Sequence, residues 1–236
     1  MGSPTHYYSP SPDTPPRPAT LRLDLPDLSL TLRTDSGVFS GGRIDPGTKY
    51  LLLEAPAPPT AGHLADIGSG YGPIALTLAA RSPGATVWAV DVNERALALT
   101  RANAESAGLA NVRVAHPDDI PADIRFSALW SNPPVRIGKA ALHDLLDRWL
   151  GRLEAGAAGL LVVQKHLGAD SLQRWLAERG WSVERLGSRV GYRLLDVRRP
   201  ASGGAVGAAG PAGTPAAAGA HGPAEAPGAP GVAGQR

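Results

Sequence analysis

Apolar and polar positions alternate over "LSLTLRT" (28–34), which predicts a strand, and "DSG" then turns into "VFS" (38–40), which predicts a hairpin. "DPGTKYLLLEA" (45–55) predicts a helix, with Asp45 as its cap and Pro46 at its first position. A short apolar run, "HLADI" (63–67), ends at glycines and is followed by the helical "PIALTLAARS" (73–82), "TVWAVD" (86–91) as a buried strand, and the amphipathic helix "NERALALTRANAESAG" (93–108). "NVRVA" (111–115) and "FSALWS" (126–131) predict strands, residues 139–156 a helix, "AGLLVVQ" (158–164) a strand and residues 169–180 a helix. Strands alternating with helices imply a parallel sheet covered on both faces. The last two runs, 181–187 and 191–199, have only "SRV" between them and must pair antiparallel. The pattern therefore predicts an α/β fold: a doubly wound, seven-stranded, mostly parallel Rossmann-like sheet with a C-terminal antiparallel hairpin and a short N-terminal hairpin.

The ends of the chain break this pattern. Residues 1–20 are rich in Pro and Ser, and residues 201–236 are almost entirely Ala, Gly and Pro. Neither can bury enough apolar surface to offset backbone entropy, so both are expected to be disordered, with one domain over 21–200. Asp13 offsets Arg17 in the leader and Glu225 offsets Arg236 in the tail, so the net charge of +2 belongs to that domain. This is mildly basic, short of a protein that coats nucleic acid. There is no cysteine, no basic-then-apolar start, and no apolar run long enough to span a membrane. A cytoplasmic location with no membrane partner is the expectation.

Candidate chemistry gathers where predicted strands end. "DIGSGYG" (66–72) follows a strand and opens a helix, and Gly68 and Gly70 would let a ligand approach the backbone. A dinucleotide fingerprint wants a third glycine where Pro73 stands. Asp66 before the loop is poorly placed for a pyrophosphate and suits a cationic amine. Asp91 follows Gly72 by about 20 residues, the spacing of an acid that grips a ribose diol. Asp118 or Asp119, after the third strand, would accept from an adenine amine. A ligand with ribose, adenine and an amino-acid end, and no phosphate, is S-adenosylmethionine.

"SNPPV" (131–135) follows the fourth strand of the sheet. Its prolines fix their own φ and hold Asn132 out of helical geometry. The Asn132 side-chain oxygen and a backbone carbonyl, that of Pro133, would both accept from one exocyclic –NH2. That would aim the nitrogen lone pair at a methyl sulfonium without a strong base.

The layout "DIGSGYG…AVDVN…SNPPV", with "GVFSGGRIDPGTKYLL" before it and "NPPVRIGK" at its end, resembles the amino-methylating class I S-adenosylmethionine-dependent methyltransferases. More narrowly, it resembles the small-subunit ribosomal RNA guanine-N2 methyltransferases, over about residues 28–198. The resemblance implies that Asn132, Pro133, Pro134 and Val135 form the catalytic target-amine grip, with Asn132 also beside the cofactor. It implies that Asp66, Gly68, Ser69 and Gly70 hold the methionine end of the cofactor, Asp91 and Val92 the ribose, and Asp118 the adenine region. Asp45, Gly47 and Thr48 match the family's "D-x-G-T" and are expected beside the cofactor tail. Many members carry an aromatic residue where this chain has Val135, and several a histidine where it has Arg136. Val135, Arg136 and Lys139 are the expected substrate contacts and ribosomal RNA the expected partner.

Two other readings stay open: methyl transfer to another planar amine (a protein glutamine, an adenine in nucleic acid, a small metabolite), and a non-catalytic cofactor-binding module. His116, His143 and His166 lack metal-ligand spacing, so no metal is expected. Arg185, Arg189, Arg193, Arg198 and Arg199 cluster near the C-terminal hairpin and would offer either an RNA-facing patch or a charged sheet edge.

Overall fold

The computed structural model describes residues 14–199. The expectations of disorder over 1–13 and 201–236 lie outside the described residues.

The main sheet has seven strands. They are β3 (Ala61–Ile67), β4 (Gly84–Val90), β5 (Val112–Ala115), β6 (Phe126–Ser131), β7 (Leu153–Gln164), β8 (Ser182–Arg189) and β9 (Tyr192–Arg198). Their order is β5-β4-β3-β6-β7-β9-β8, with only β9 running antiparallel to its neighbours. A separate two-stranded hairpin pairs β1 (Ala19–Asp24) with β2 (Ser29–Thr34). The helices are α1 (Pro46–Glu54), α2 (Pro73–Arg81), α3 (Glu94–Ser106), α4 (Lys139–Leu150) and α5 (Ala169–Glu178). The apolar core divides at the sheet. Leu51, Leu76, Ala96 and the hairpin's Leu23 and Leu32 pack on the face that carries Leu160 and Val162. Leu142, Leu146, Trp149, Leu172 and Leu176 pack on the face that carries Leu161 and Val163. The predicted fold class is the observed one.

Three local expectations are corrected. The N-terminal hairpin forms, but residues 29–34 pair with 19–24 and not with "VFS". Pairing on that side sets Leu21 and Leu23 opposite Leu32 and Leu30, giving the hairpin an apolar face for the core. Segment 36–40 is held by α3 instead: Asn93 Nδ2 donates to Gly37 O and Arg95 Nη1 to Ser36 O. Residues 14–20, expected to belong to a disordered leader, are in place. Arg95 bonds Thr14 O, the Arg17 amide bonds Asp35, and β1 starts at Ala19. The helix predicted over 139–156 stops at Leu150, and β7 begins at Leu153. Arg152 leaves the helical line to bond Ile124 O and Pro121 O, and its guanidinium lies over the Phe126 and Trp149 rings. A buried polar clamp adds to the hairpin's apolar packing: Asn103 on α3 bonds Arg33 N, Arg33 O and Tyr71 O.

The chain reverses direction across the sheet between β3 and β6. Ligands of doubly wound sheets bind outside the carboxyl ends of the strands at such a switch point. The glycine loop leaves β3 there, and the Asn-Pro-Pro loop leaves β6.

Candidate active site

Gly68, Gly70 and Gly72 all have positive φ, at 77°, 57° and 94°. A side chain at Gly72 would meet Leu76 Cδ1 at 2.7 Å and Thr100 Cγ2 at 2.9 Å, so this third glycine serves packing against α2 and α3. A Cβ at Gly70 would meet nothing within 4 Å, leaving that backbone open to approach. The loop's amides are partly spent internally: Gly68 N and Ser69 N donate to Val90 O, and Gly70 N donates to Asp91 Oδ2 at 2.8 Å.

Asp66 lies behind this loop and is fully buried. Its Oδ2 accepts from Ala75 N in the first turn of α2 at 2.9 Å. Its Oδ1 and the Ser69 hydroxyl are buried with no partner. Burial away from water, and then the nearby Asp91 carboxylate, push the Asp66 carboxyl well above the usual carboxylate range. Asp91 ends β4 with Oδ1 accepting from Asn93 N and Oδ2 from Gly70 N. Its carboxyl is also raised, chiefly by burial and against the backbone amides of Asn93, Gly70 and Val92, and the two oxygens together keep room for a further donor.

An apolar cavity of about 310 Å³ opens beside Asp91. Gly68, Val92, Pro134, Ile137, Leu145 and Trp149 line it, so it lies between the sheet edge and α4. Asp118 sits at its outer rim, strongly exposed, and accepts from Arg148 Nη2 at 2.9 Å. Together with His116 and Arg148 it lines a shallower extension that shares Val92, Pro117, Leu145 and Trp149 with the apolar cavity.

The Asn-Pro-Pro loop forms the opposite wall. A Cβ built on Gly68 would lie 3.9 Å from Pro134 Cδ, so the two loops face one another. Val135 N donates to Pro133 O at 2.8 Å, and Pro134 has φ −74° and ψ 70°, which together make an inverse γ-turn. One lone pair of the Pro133 carbonyl is thus engaged and one remains. Asn132 Nδ2 donates to Asp45 Oδ1 at 2.8 Å and to Thr48 Oγ1 at 3.0 Å. With both amide hydrogens committed, Asn132 Oδ1 is left as an acceptor.

Asp45 caps α1 through Thr48 N and accepts from Tyr192 OH at 3.4 Å. Asp45 and Thr48, expected beside the cofactor tail, are therefore placed as the mount of Asn132. Gly47 makes that mount possible, because a Cβ there would come within 2.4 Å of the Tyr192 ring. Burial, and then the Asp45 carboxylate, raise the Tyr192 phenol, so it stays protonated as the donor in this contact.

A second, more polar cavity of about 350 Å³ lies on this side, bounded by Asn132, Pro133, Val135, Arg136, Gln164 and Tyr192, with Phe39 and Arg43 also in its lining. Val135 and Arg136, the expected substrate contacts, are among the residues that line it. Lys139 is exposed on the first turn of α4 and lines neither cavity. The C-terminal arginines do not form one patch: Arg193 is 7% exposed and paired with Asp170, and Arg198 bonds Asp196. Phe39, Tyr192, Gln164 and Trp149 are cavity residues that the sequence patterns do not single out for this role. Tyr192 has a faint signal, since it is an aromatic residue directly after the last turn.

Among the described residues no helix is long and apolar enough to cross a membrane, and no cluster of three or more His, Asp or Glu is arranged to hold a metal ion.

A doubly wound sheet with a glycine loop, an acid at the end of the next strand and a facing Asn-Pro-Pro loop is the frame of a methyltransferase. The chain belongs to the methyltransferase small domain family, whose profile matches residues 29–196. It is 33% identical to YbxB of Bacillus subtilis, described only as an uncharacterized protein, over 82% of this chain and 98% of that one. It is 31% identical to ribosomal RNA small subunit methyltransferase C of Shewanella amazonensis, over 62% of this chain and 43% of that protein. The chain thus matches less than half the length of that ribosomal RNA relative. Among solved structures, a T. thermophilus 16S rRNA N2 guanine methyltransferase, in complex with AdoMet and guanosine, superposes with a TM-score of 0.68 at 24% identity. That match covers 80% of this chain and 52% of the other and speaks to the fold.

Proposed function

We propose that this chain transfers a methyl group from S-adenosylmethionine to the exocyclic N2 amine of guanine in ribosomal RNA. The observation that carries the reading is the fixed amide of Asn132. Its two hydrogens are held by Asp45 and Thr48, so Oδ1 and the remaining lone pair of the Pro133 carbonyl stand as acceptors at a cavity edge.

The apolar cavity suits an adenosine: Val92, Pro134, Ile137 and Leu145 offer flat apolar contact, and Asp91 keeps lone pairs for a ribose diol. The orphaned Asp66 Oδ1 and Ser69 hydroxyl mark the amino-acid end, where buried polar atoms lack partners in the protein alone. S-adenosylmethionine supplies a methyl group on a positively charged sulfur, which an amine can take without prior loss of a proton. The protein's part is to orient the acceptor. Hydrogen bonds from the target amine to Asn132 Oδ1 and Pro133 O hold its nitrogen and favour the geometry in which the lone pair leaves the ring plane. The proton is shed afterwards to solvent, which is why the site needs no strong base.

Arg43 and Arg136 line the polar cavity, and neither has a carboxylate within ion-pair distance among the described residues. Unpaired guanidinium groups at the mouth suit a phosphate-bearing acceptor. The names of the ribosomal RNA relatives support the choice of RNA. Such a substrate implies action in the compartment that holds ribosomes, the cytoplasm.

The test is incubation with labelled S-adenosylmethionine and total RNA from a strain lacking this protein, followed by nucleoside mass analysis. N2-methylguanosine that appears only with active protein is the expected product. Label found solely in N6-methyladenosine, in protein, or nowhere would overturn the reading.

A further inference from the structure

The polar cavity holds a second carboxamide, which the amine grip does not use. Gln164 is the last residue of β7, after Leu160, Leu161, Val162 and Val163, all of them buried. It shares a strand face with Val162, which also lines the cavity, and its cross-strand partner on β9 is Tyr192. It is half-buried, yet its side-chain amide bonds to no protein group among the described residues. The four asparagines of the described chain behave differently. Asn93, Asn103, Asn111 and Asn132 all have their amides committed to neighbours.

Placement relative to the grip follows from register. Ser131 on β6 pairs with Leu161 on the adjacent parallel β7. Asn132 therefore leaves its strand level with Val162, and Gln164 stands two residues further along. Strand spacing and rise put the two backbone positions roughly 8 Å apart, which leaves room for a base edge between their side chains.

We propose that Gln164 is the base-specificity residue of this site, its amide carbonyl accepting from guanine N1–H and its amide –NH2 donating to guanine O6 while Asn132 holds N2. The assignment rests on the guanine-N2 reading above. Guanine presents an acceptor, a donor and the target amine in a row along one edge. A carboxamide is complementary to the first two, as bidentate amide contacts to bases elsewhere are. The pair fixes which base enters and places N2, the next group on that edge, at Asn132.

The test uses Gln164→Ala and the similarly long Gln164→Met, each loaded with S-adenosylhomocysteine. The probes are guanosine 5′-monophosphate and 2-aminopurine riboside 5′-monophosphate, with affinities measured by ligand-observed NMR. The second probe keeps the N2 amine and lacks both O6 and N1–H. Wild type is expected to prefer the guanine probe by about 10- to 100-fold, and both variants to bind the two probes within about twofold of each other. A wild type without preference, or variants that keep it, overturns the assignment. If N2-methylguanosine still forms in the RNA assay, only the role of Gln164 has failed. If it does not form, the functional reading has failed and this assignment with it.

Discussion

The two consecutive prolines face different cavities. Pro134 lines the apolar cavity with Gly68, Asp91 and Leu145, and Pro133 lines the polar one with Asn132, Gln164 and Tyr192. One rigid stretch of backbone is the partition between them. The apolar side is built from the ends of β3 and β4 and from α4, and its one charged group, Asp91, is held by backbone amides. The polar side is built from side chains that hold one another across the fold: Asn132 on Asp45 and Thr48, and Tyr192 on Asp45. The first design suits a bound group that is the same in every turnover. The second suits an acceptor whose identity must be checked. Pro-Pro keeps the partition stiff, because both φ angles are fixed and the following amide closes on Pro133 O.

Substitutions on the two sides should therefore fail differently. Asn132→Ala removes the acceptor aimed at the amine and is expected to lower kcat by about 10²- to 10³-fold. The affinity for S-adenosylhomocysteine, measured by calorimetry, should change by no more than a few-fold. Asp91→Ala removes a charged acceptor from the apolar side, worth roughly 10- to 100-fold in cofactor affinity, while kcat at saturating cofactor falls much less. If Asn132→Ala abolished cofactor binding, or Asp91→Ala spared it, the partition would not separate the two functions.

Gly47→Ala tests whether the polar side depends on its mount. The added methyl would collide with the Tyr192 ring and crowd Asp45 Oδ1 at 3.0 Å. Overpacking of this kind costs about 1–3 kcal/mol and should lower the melting temperature. The same variant should reduce kcat by roughly 10-fold, as the amide of Asn132 loses its fixed orientation, with cofactor affinity nearly intact. A fall in cofactor affinity equal to the fall in kcat would show that Asp45 serves the apolar side after all.

This asymmetry also decides what could be read from sequence. The apolar side was legible because its parts are local: glycines at fixed spacing after a strand, an acid about 20 residues on, prolines after another strand. Asp118 was placed at the right strand end, yet its partnership with Arg148 depends on α4, which no spacing encodes. The mount of Asn132 was legible only as a motif, Asp45-x-Gly47-Thr48, which the resemblance assigned to the cofactor tail and not to Asn132. Its fourth member, Tyr192, lies 147 residues from Asp45 and meets it only because β9 inserts between β7 and β8. The hairpin partner of β2 was misread for a related reason. Alternation marks a strand but not which neighbouring apolar pair gains burial by joining it.

Asp66 gives the apolar side a pH signature. Its folded-state carboxyl is raised, so the folded chain binds a proton more readily than the unfolded one. Stability should then fall as pH rises from the unfolded carboxylate value through the raised folded one. Asp66→Asn keeps an oxygen for Ala75 N and cannot ionise, so the slope of melting temperature between pH 5 and pH 8 should become shallower, in proportion to this one group. An unchanged slope would remove Asp66 as its source.

The smallest expected effect serves as a control on the others. The turn between β8 and β9 has two residues, Val190 and Gly191, with φ of 50° and 81°. Positive φ at both positions is the geometry that favours Asn-Gly, and a β-branched residue there is strained. Val190 is 75% exposed, so it contributes little buried contact to offset that strain. Val190→Asn should raise stability by about 1 kcal/mol, read as a higher denaturant midpoint at unchanged slope. Residue 190 lines neither cavity, and the register that brings Tyr192 opposite Gln164 stays as it is. Cofactor affinity and kcat should both match wild type. If kcat moved with stability alone, the losses expected from Gly47→Ala could no longer be assigned to the orientation of Asn132.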